Sequence, residues 1–161
     1  SRRDGKQAKQ PECNNISRTE ECAIALMMGA VSMVASAADT YTSDLLQSAE
    51  YRPLWQQATA GVKLPQWVRS GNGVSTPLEA AKGGAYRTGS LCKPHDCANH
   101  FVQLLIDDKG KQIWGVLIDL PESDAARETP SKFARYTWLG KPDKAHQATL
   151  MQQVQANPNW K

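Results

Sequence analysis

The stretch HFVQLLIDDKGKQIWGVLIDL, residues 100–120, decides the fold of this chain. Its two halves, His100 to Ile106 and Gln112 to Leu120, are rich in Val, Ile, Leu and aromatic residues, which are typical of β-strands. Between them lies Asp107-Asp108-Lys109-Gly110, whose residue types favour a tight turn. We therefore predict a β-hairpin here, and we interpret the two aspartates as turn residues rather than as a catalytic carboxylate pair.

Further strands are predicted on both sides of this hairpin. Residues 85–91 follow Gly83-Gly84 and lead straight into Cys92. Residues 133–139 are rich in Phe, Tyr, Thr and Trp, and Gly140 ends the run.

Helices are predicted at each end of this group of strands. Residues 50–60 have helical spacing of apolar residues, with Pro53 in the first turn and Gly61 as the stop. Pro142-Asp143 opens a last helix that runs to about Ala156. Strands grouped together with flanking helices indicate an α+β fold with a central antiparallel sheet and short helices around it.

The tryptophans are interpreted as core residues rather than as a platform for stacking sugars, because most fall in or beside the predicted elements. They are Trp55, Trp67, Trp114, Trp138 and Trp160. Pro65 cannot continue the helix before it, and Trp67 and Val68 are expected to pack on the core.

The N-terminal segment is predicted to be a signal peptide. Residues 23–35 form an apolar run shorter than the roughly 20 residues of a membrane span, and Ala35-Ser36-Ala37 fits a signal-peptidase site. We expect residues 1–37 to be removed and residues 38–161 to form a single periplasmic domain; the alternative is an N-terminal helix of a cytosolic domain. Removal takes away Cys13 and Cys22 and leaves one pair of cysteines, which in an exported protein indicates a disulfide.

The charge of the chain argues against a nucleic-acid partner. The formal net charge is only +3, and the basic residues are scattered rather than clustered.

Reactive and charged side chains are most concentrated in the loop between two predicted strands, Cys92-Lys93-Pro94-His95-Asp96-Cys97. A disulfide across this loop closes a small ring, and Pro94 fixes one backbone torsion inside it. We expect the ring to be stiff and to protrude. A loop already held in its bound shape loses little conformational entropy on binding.

Three other interpretations of this loop stay open on the residues alone. A redox centre favours two-residue spacing between its thiols and a helix N-terminus, and neither is present. A zinc site could use Cys92, His95 and Cys97, but they lie too close together to surround one ion, and no second cluster adds a ligand. The loop could also be a stapled turn in which His95 and Asp96 are merely solvated. No metal or cofactor is predicted.

The string CKPHDC resembles the signature loop of the inhibitor of vertebrate lysozyme (Ivy) family of Gram-negative bacteria. Three further matches follow in the family's order: the KLPxWV segment at residues 63–68, the Thr76-Pro77 pair and the strand Thr137-Trp138-Leu139. Together they cover residues 50–161, and the six-residue loop is the most specific of them.

This resemblance implies a periplasmic, homodimeric inhibitor of c-type lysozyme with no catalysis of its own. Its loop would enter the enzyme's cleft with His95 between the two catalytic carboxylates. Lys93 and Asp96 would make flanking polar contacts, Pro94 would hold the turn, and Cys92 and Cys97 would clamp the ring. Because an imidazole titrates near neutral pH, affinity is expected to vary with pH through His95.

Other classes of function use different residues. A peptidoglycan-associated binding module, or a regulator of an endogenous lytic transglycosylase, could use the same loop, with exposed tryptophans contacting glycan. An oxidoreductase would need reducible Cys92 and Cys97. His100 and His146 are interpreted as ordinary surface or helix histidines without acidic companions at ligand spacing.

Overall fold

The computed structural model describes residues 39–161. The helices are α1 (Thr42–Gln47), α2 (Arg52–Thr59), α3 (Gln66–Arg69), α4 (Asp124–Glu128), α5 (Pro130–Phe133) and α6 (Lys144–Gln155). The strands are β1 (Val74–Ser75), β2 (Glu79–Ala80), β3 (Arg87–Cys92), β4 (His100–Asp107), β5 (Gln112–Asp119) and β6 (Arg135–Leu139). The predicted signal peptide, with Cys13 and Cys22, lies outside the described residues.

The strands form one antiparallel sheet in the order β1-β3-β4-β5-β6, with β2 also paired to β3. The predicted hairpin is confirmed: His100 pairs with Asp119, and Ile106 pairs with Ile113. At the turn, the Asp107 carboxylate accepts the backbone N–H groups of Lys109 and Gly110 at 3.1 and 2.8 Å. The predicted α+β class is confirmed.

Helices cover both faces of the sheet. Residues of α1, α2 and α3 pack on one face with Leu91, Val102 and Leu104, while α6 packs on the other through Leu150 and Val154. As a result β5 is buried at six consecutive positions, from Ile113 to Ile118. A strand covered on both sides is apolar throughout rather than alternating, which explains the continuous apolar run of its sequence.

Both predicted helices are present with the predicted ends. Pro53 lies in the first turn of α2, and Gly61 after it has a φ of 74°, a left-handed conformation that glycine adopts without steric cost. Asp143 caps α6 by accepting the backbone N–H of His146 at 2.9 Å.

Strand β6 is shorter than predicted. Phe133 does not belong to this strand but ends the short helix α5, which Pro130 opens, so β6 begins only at Arg135.

Helix α2 ends before Pro65, which agrees with the prediction. A further helix, α3, starts directly after this proline.

The five tryptophans are buried to different extents. Trp55 and Trp114 are buried, and Trp67, Trp138 and Trp160 are half-buried and pack against the core.

Within residues 39–161, no helix combines the length and apolarity needed to cross a membrane.

Candidate functional site

The predicted loop connects β3 to β4 at one end of the sheet. Cys92 ends β3 opposite Phe101 of β4, and Cys92 and Cys97 are joined by a disulfide with their Cα atoms 4.8 Å apart. One step beyond this pair, the Lys93 N–H donates to the carbonyl of His100 at 3.0 Å. The predicted ring is therefore present, and the ladder of two central strands supports it.

The tip of the loop is a tight turn. The Asp96 N–H donates to the Lys93 carbonyl at 3.0 Å, with Pro94 in the second position and His95, at φ 66°, in the third. Proline followed by a left-handed residue is the pattern of a type II turn, whose third position glycine usually occupies. A side chain there costs roughly 1–2 kcal/mol. His95 is held in this conformation and is exposed, as are Lys93 and Pro94.

Asp96, in contrast, points its carboxylate back into the loop. Its side chain is only 19% exposed. One oxygen accepts the Asn99 side-chain amide at 2.8 Å, and the other lies 3.4 Å from His100 Nε2 and 3.6 Å from Lys93 Nζ. The Asp96 backbone carbonyl also accepts the N–H groups of Asn99 and His100. Asp96 therefore organises the loop from inside.

The interpretation of His100 as a histidine without acidic companions is wrong. Its Nδ1 lies 2.7 Å from an Asp119 carboxylate oxygen, so its ring bridges Asp119 of β5 and Asp96 of the loop. Two signals in the sequence could have shown this. Asp96 and His100 are four residues apart, and the register of the predicted hairpin sets His100 opposite Asp119.

His146 also has an acidic companion, contrary to expectation. Its Nδ1 lies 2.7 Å from Asp143, its Nε2 lies 3.3 Å from the Tyr86 hydroxyl, and its ring stacks on Trp114 with centroids 3.8 Å apart. This cluster joins α6 to the sheet and contains no residue of the loop.

Gly73 supports the base of the loop. A Cβ at this position would lie 2.5 Å from the Cys92 carbonyl oxygen, closer than any real side chain allows. The next residue, Val74, pairs with Cys92 in the sheet. Only glycine lets β1 come this close to the strand that carries the disulfide.

A separate ion pair lies at the other end of β3. Arg87 donates through Nε and Nη2 to both carboxylate oxygens of Asp108, each at 2.7 Å, and the Tyr51 hydroxyl donates to the same carboxylate. The hydrogen bond from Arg87 lowers the pKa of Asp108, and the hydrogen bond to Asp108 raises the pKa of Tyr51. These contacts tie α2 to the hairpin turn and are structural.

The chemistry available to the loop comes from its two sulfurs and its exposed side chains. Both sulfurs are bonded to each other, so neither is a thiolate ligand or nucleophile in this state. In the part of the chain that the structure describes, no three His, Cys, Asp or Glu side chains are grouped to hold a metal ion. The loop presents an imidazole, an ammonium and a proline ring on a stiff frame.

The loop lies within a region that matches a known protein family. The family model described as "Inhibitor of vertebrate lysozyme (Ivy)" matches residues 50–156, which include the loop and all six strands of the sheet. The chain belongs to the Ivy family. The resemblance inferred from CKPHDC is thus confirmed, and the family is by its name one of inhibitors.

Three known proteins are similar in sequence to this chain. A protein of Yersinia pestis, described as uncharacterized, is 43% identical over 122 residues, covering 74% of this chain and 79% of its own. The Pseudomonas aeruginosa protein named "Inhibitor of vertebrate lysozyme" is 35% identical over 124 residues, 73% of this chain and 80% of its own. The protein of that name from Escherichia coli K12 is 29% identical over 107 residues, 65% of this chain and 63% of its own.

Proposed function

We propose that this chain is a periplasmic inhibitor of c-type lysozyme that occludes the enzyme's active-site cleft with residues 92–97. The observation that carries the proposal is the exposed, disulfide-closed turn with His95 in its third position. Two of the relatives above are named "Inhibitor of vertebrate lysozyme", which supports a lysozyme as the target.

The imidazole of His95 suits a cleft that contains two carboxylates. A retaining glycosidase of the lysozyme type holds its acid and its nucleophile about 5 Å apart. An imidazole has two ring nitrogens on opposite sides, so one ring can face both carboxylates. In the proposed complex His95 lies between them and blocks the sugar subsite, while Lys93 and Asp96 make polar contacts beside it.

The stiffness of the loop favours tight binding. The disulfide, the Lys93–Asp96 turn and the contacts of the Asp96 carboxylate restrain the same six residues in the free protein. Because a pre-ordered loop has little entropy left to lose, most of its contact free energy contributes to affinity.

The disulfide also suits the proposed location. Disulfides persist in the bacterial periplasm and are rare in the reducing cytosol. We propose that residues 1–37 direct export in a Gram-negative cell, that residues 38–161 form the single inhibitory domain, and that this domain works as a homodimer.

Inhibition of a c-type lysozyme on cell-wall substrate tests the proposal. We expect stoichiometric inhibition by the wild-type chain, a loss of about 100-fold for His95→Ala, as for a central contact residue, and a loss of similar size for Cys92→Ser with Cys97→Ser. Lys141→Ala is the matched control, since Lys141 is also an exposed left-handed residue, φ 54°, but follows β6. It should inhibit like the wild type.

Two outcomes would contradict the proposal. If the folded wild-type chain leaves c-type lysozyme fully active, the target is wrong, and inhibition of an endogenous lytic transglycosylase becomes the next measurement. If His95→Ala inhibits as well as the wild type, another surface of the molecule makes the contact.

A further inference from the structure

A second histidine lies beneath the loop and has no place in the proposed contact with lysozyme. His100 is the first residue of β4, and its side chain is 25% exposed. It contacts one carboxylate inside the loop, Asp96, and one in the sheet, Asp119. The His100 side chain thus connects Asp96, the residue next to His95, with Asp119 of strand β5.

We propose that His100 is a positioning residue for the loop: as an imidazolium it ties Asp96 to Asp119 and holds His95 in its binding conformation. The effect on inhibition rests on the proposed function. The effect on the loop itself does not, because it belongs to the free protein.

The two contacts of His100 differ between its neutral and its protonated form. A neutral imidazole has one N–H and one lone pair, so it donates to one carboxylate and turns a lone pair towards the other. The imidazolium has an N–H at both nitrogens. Its Nδ1 forms a hydrogen bond with Asp119 at 2.7 Å, and its Nε2 lies at ion-pair distance, 3.4 Å, from Asp96, so the protonated ring is attracted to both carboxylates.

The surrounding charges come from three elements. Asp96 and Lys93 face the ring from the loop, with Lys93 Nζ 3.6 Å from the same Asp96 oxygen. Asp119 faces it from β5, and Arg135 of β6 pairs with Asp119 in the register of the sheet. The two carboxylates contact the ring, and Lys93 Nζ lies beside one of them.

The position of Asp96 couples this bridge to His95. Asp96 is the fourth residue of the turn in which His95 is the third, and its N–H closes that turn on Lys93. Loss of the His100 contact leaves the Asp96 carboxylate with Asn99 and the exposed Lys93. The disulfide still closes the ring, but the turn within it becomes free to change conformation.

The direction of the pH effect follows. A protonated ring is attracted to both carboxylates, whereas a neutral ring donates to only one of them. Loss of the proton therefore weakens the tie to Asp96 and loosens the turn.

Amide hydrogen exchange of the free chain, followed by NMR between about pH 5 and pH 8, tests the bridge. We expect the protection factor of the Asp96 amide, corrected for intrinsic exchange, to fall about three- to fivefold across this range, as the loss of one partly exposed ion pair predicts. In His100→Gln, whose side chain stays neutral and can still donate one hydrogen bond, protection should be low and constant. His146→Gln is the matched control and should keep the wild-type dependence.

Constant Asp96 protection in the wild type, or an unchanged pH dependence in His100→Gln, would overturn the proposal. Asp119→Asn gives an independent check, because it removes one end of the bridge and should also abolish the pH dependence. Thermal unfolding of each variant establishes that the sheet is intact.

Affinity for c-type lysozyme at the same pH values completes the test. His100→Gln should weaken binding several-fold at the acidic end and little at the alkaline end, whereas a purely structural role lowers affinity equally at every pH. If the wild type does not bind lysozyme, the proposed function fails while the exchange result still decides the bridge. If it binds and Asp96 protection does not change with pH, only the bridge fails.

Discussion

At the hairpin turn, two adjacent aspartates have different roles. Asp107 accepts the backbone N–H groups of the turn, as its residue type predicts. Asp108 leaves the turn and binds Arg87 and Tyr51, which lie 21 and 57 positions away in sequence. The first role is local and therefore readable from sequence. The second depends on where α2 packs, and the sequence pattern does not contain that information.

Replacement of Asp108 by Asn should destabilise the protein in a pH-dependent way. Arg87 lowers the pKa of Asp108 in the folded state, so the ionised carboxylate stabilises the fold above its unfolded pKa of about 3.9, and this contribution is lost as pH falls through the folded pKa. Because the pair is partly exposed, we expect a loss of about 1 kcal/mol near neutral pH. Urea unfolding of both proteins at about pH 7 and about pH 3 measures it.

The neighbouring change Asp107→Asn is the control for this prediction. An Asn side chain accepts the same turn N–H groups, so its free energy of unfolding should stay near that of the wild type. An Asp108→Asn deficit of equal size at both pH values would show that shape, and not charge, is responsible.

Among the elements, the longest were predictable and most of the shortest were not. β4, β5, α2 and α6 each have eight or more residues, enough for an apolar run or a helical repeat to show. The shorter strands β3 and β6 were predictable because of their residue types and the glycines beside them. By contrast α1, α4 and α5 have six, five and four residues, and β1 and β2 have two each, too few for a pattern to show.

A buried hydrogen bond from Trp55 joins α2 to α3, and its removal should destabilise the protein. Trp55 is 1% exposed and donates its indole N–H to the Val68 carbonyl at 2.8 Å. The Gly71 N–H donates to the same carbonyl at 3.1 Å, so Trp55→Phe removes one of its donors and opens a small cavity. We expect a loss of about 1–3 kcal/mol, measured as the free energy of unfolding in urea.

Trp160→Phe provides the comparison for Trp55. This half-buried indole makes no hydrogen bond with another residue of the range 39–161, so we expect its loss to cost less than about 1 kcal/mol. Equal losses in the two variants would mean that side-chain volume, and not the hydrogen bond, joins α2 to α3.

In the molecule as a whole, the loop is a short continuous segment of the chain, and it is supported by a sheet whose strands are distant from one another in sequence. The six loop residues could be predicted from sequence because they are consecutive and chemically unusual. The support beneath them could not, because Gly73 comes from the segment just before β1 and Asp119 from β5. The approach of Gly73 to the Cys92 carbonyl is what requires a glycine, and this approach is a long-range contact that no local pattern predicts.

The double change Cys92→Ser with Cys97→Ser should leave the fold intact. The disulfide closes a ring of only six residues between neighbouring strands, so the chain-entropy estimate of its stabilisation is about 2 kcal/mol, and both core clusters lie outside the ring. We expect an unchanged far-ultraviolet circular dichroism spectrum and a cooperative unfolding transition lowered by about that amount. Loss of the cooperative transition would show instead that the whole sheet depends on the ring.

The backbone conformation of His95 has a consequence for how this position responds to selection. Glycine or asparagine fits a left-handed turn position better than histidine does. A library randomised at residue 95 and sorted only for heat resistance should therefore enrich glycine and asparagine, while one sorted for neutralisation of lysozyme should return histidine. On the proposed function, robustness and antagonism of the enzyme favour opposite choices at one codon, and a lineage that no longer meets its target enzyme should lose this histidine early, well before its core begins to change.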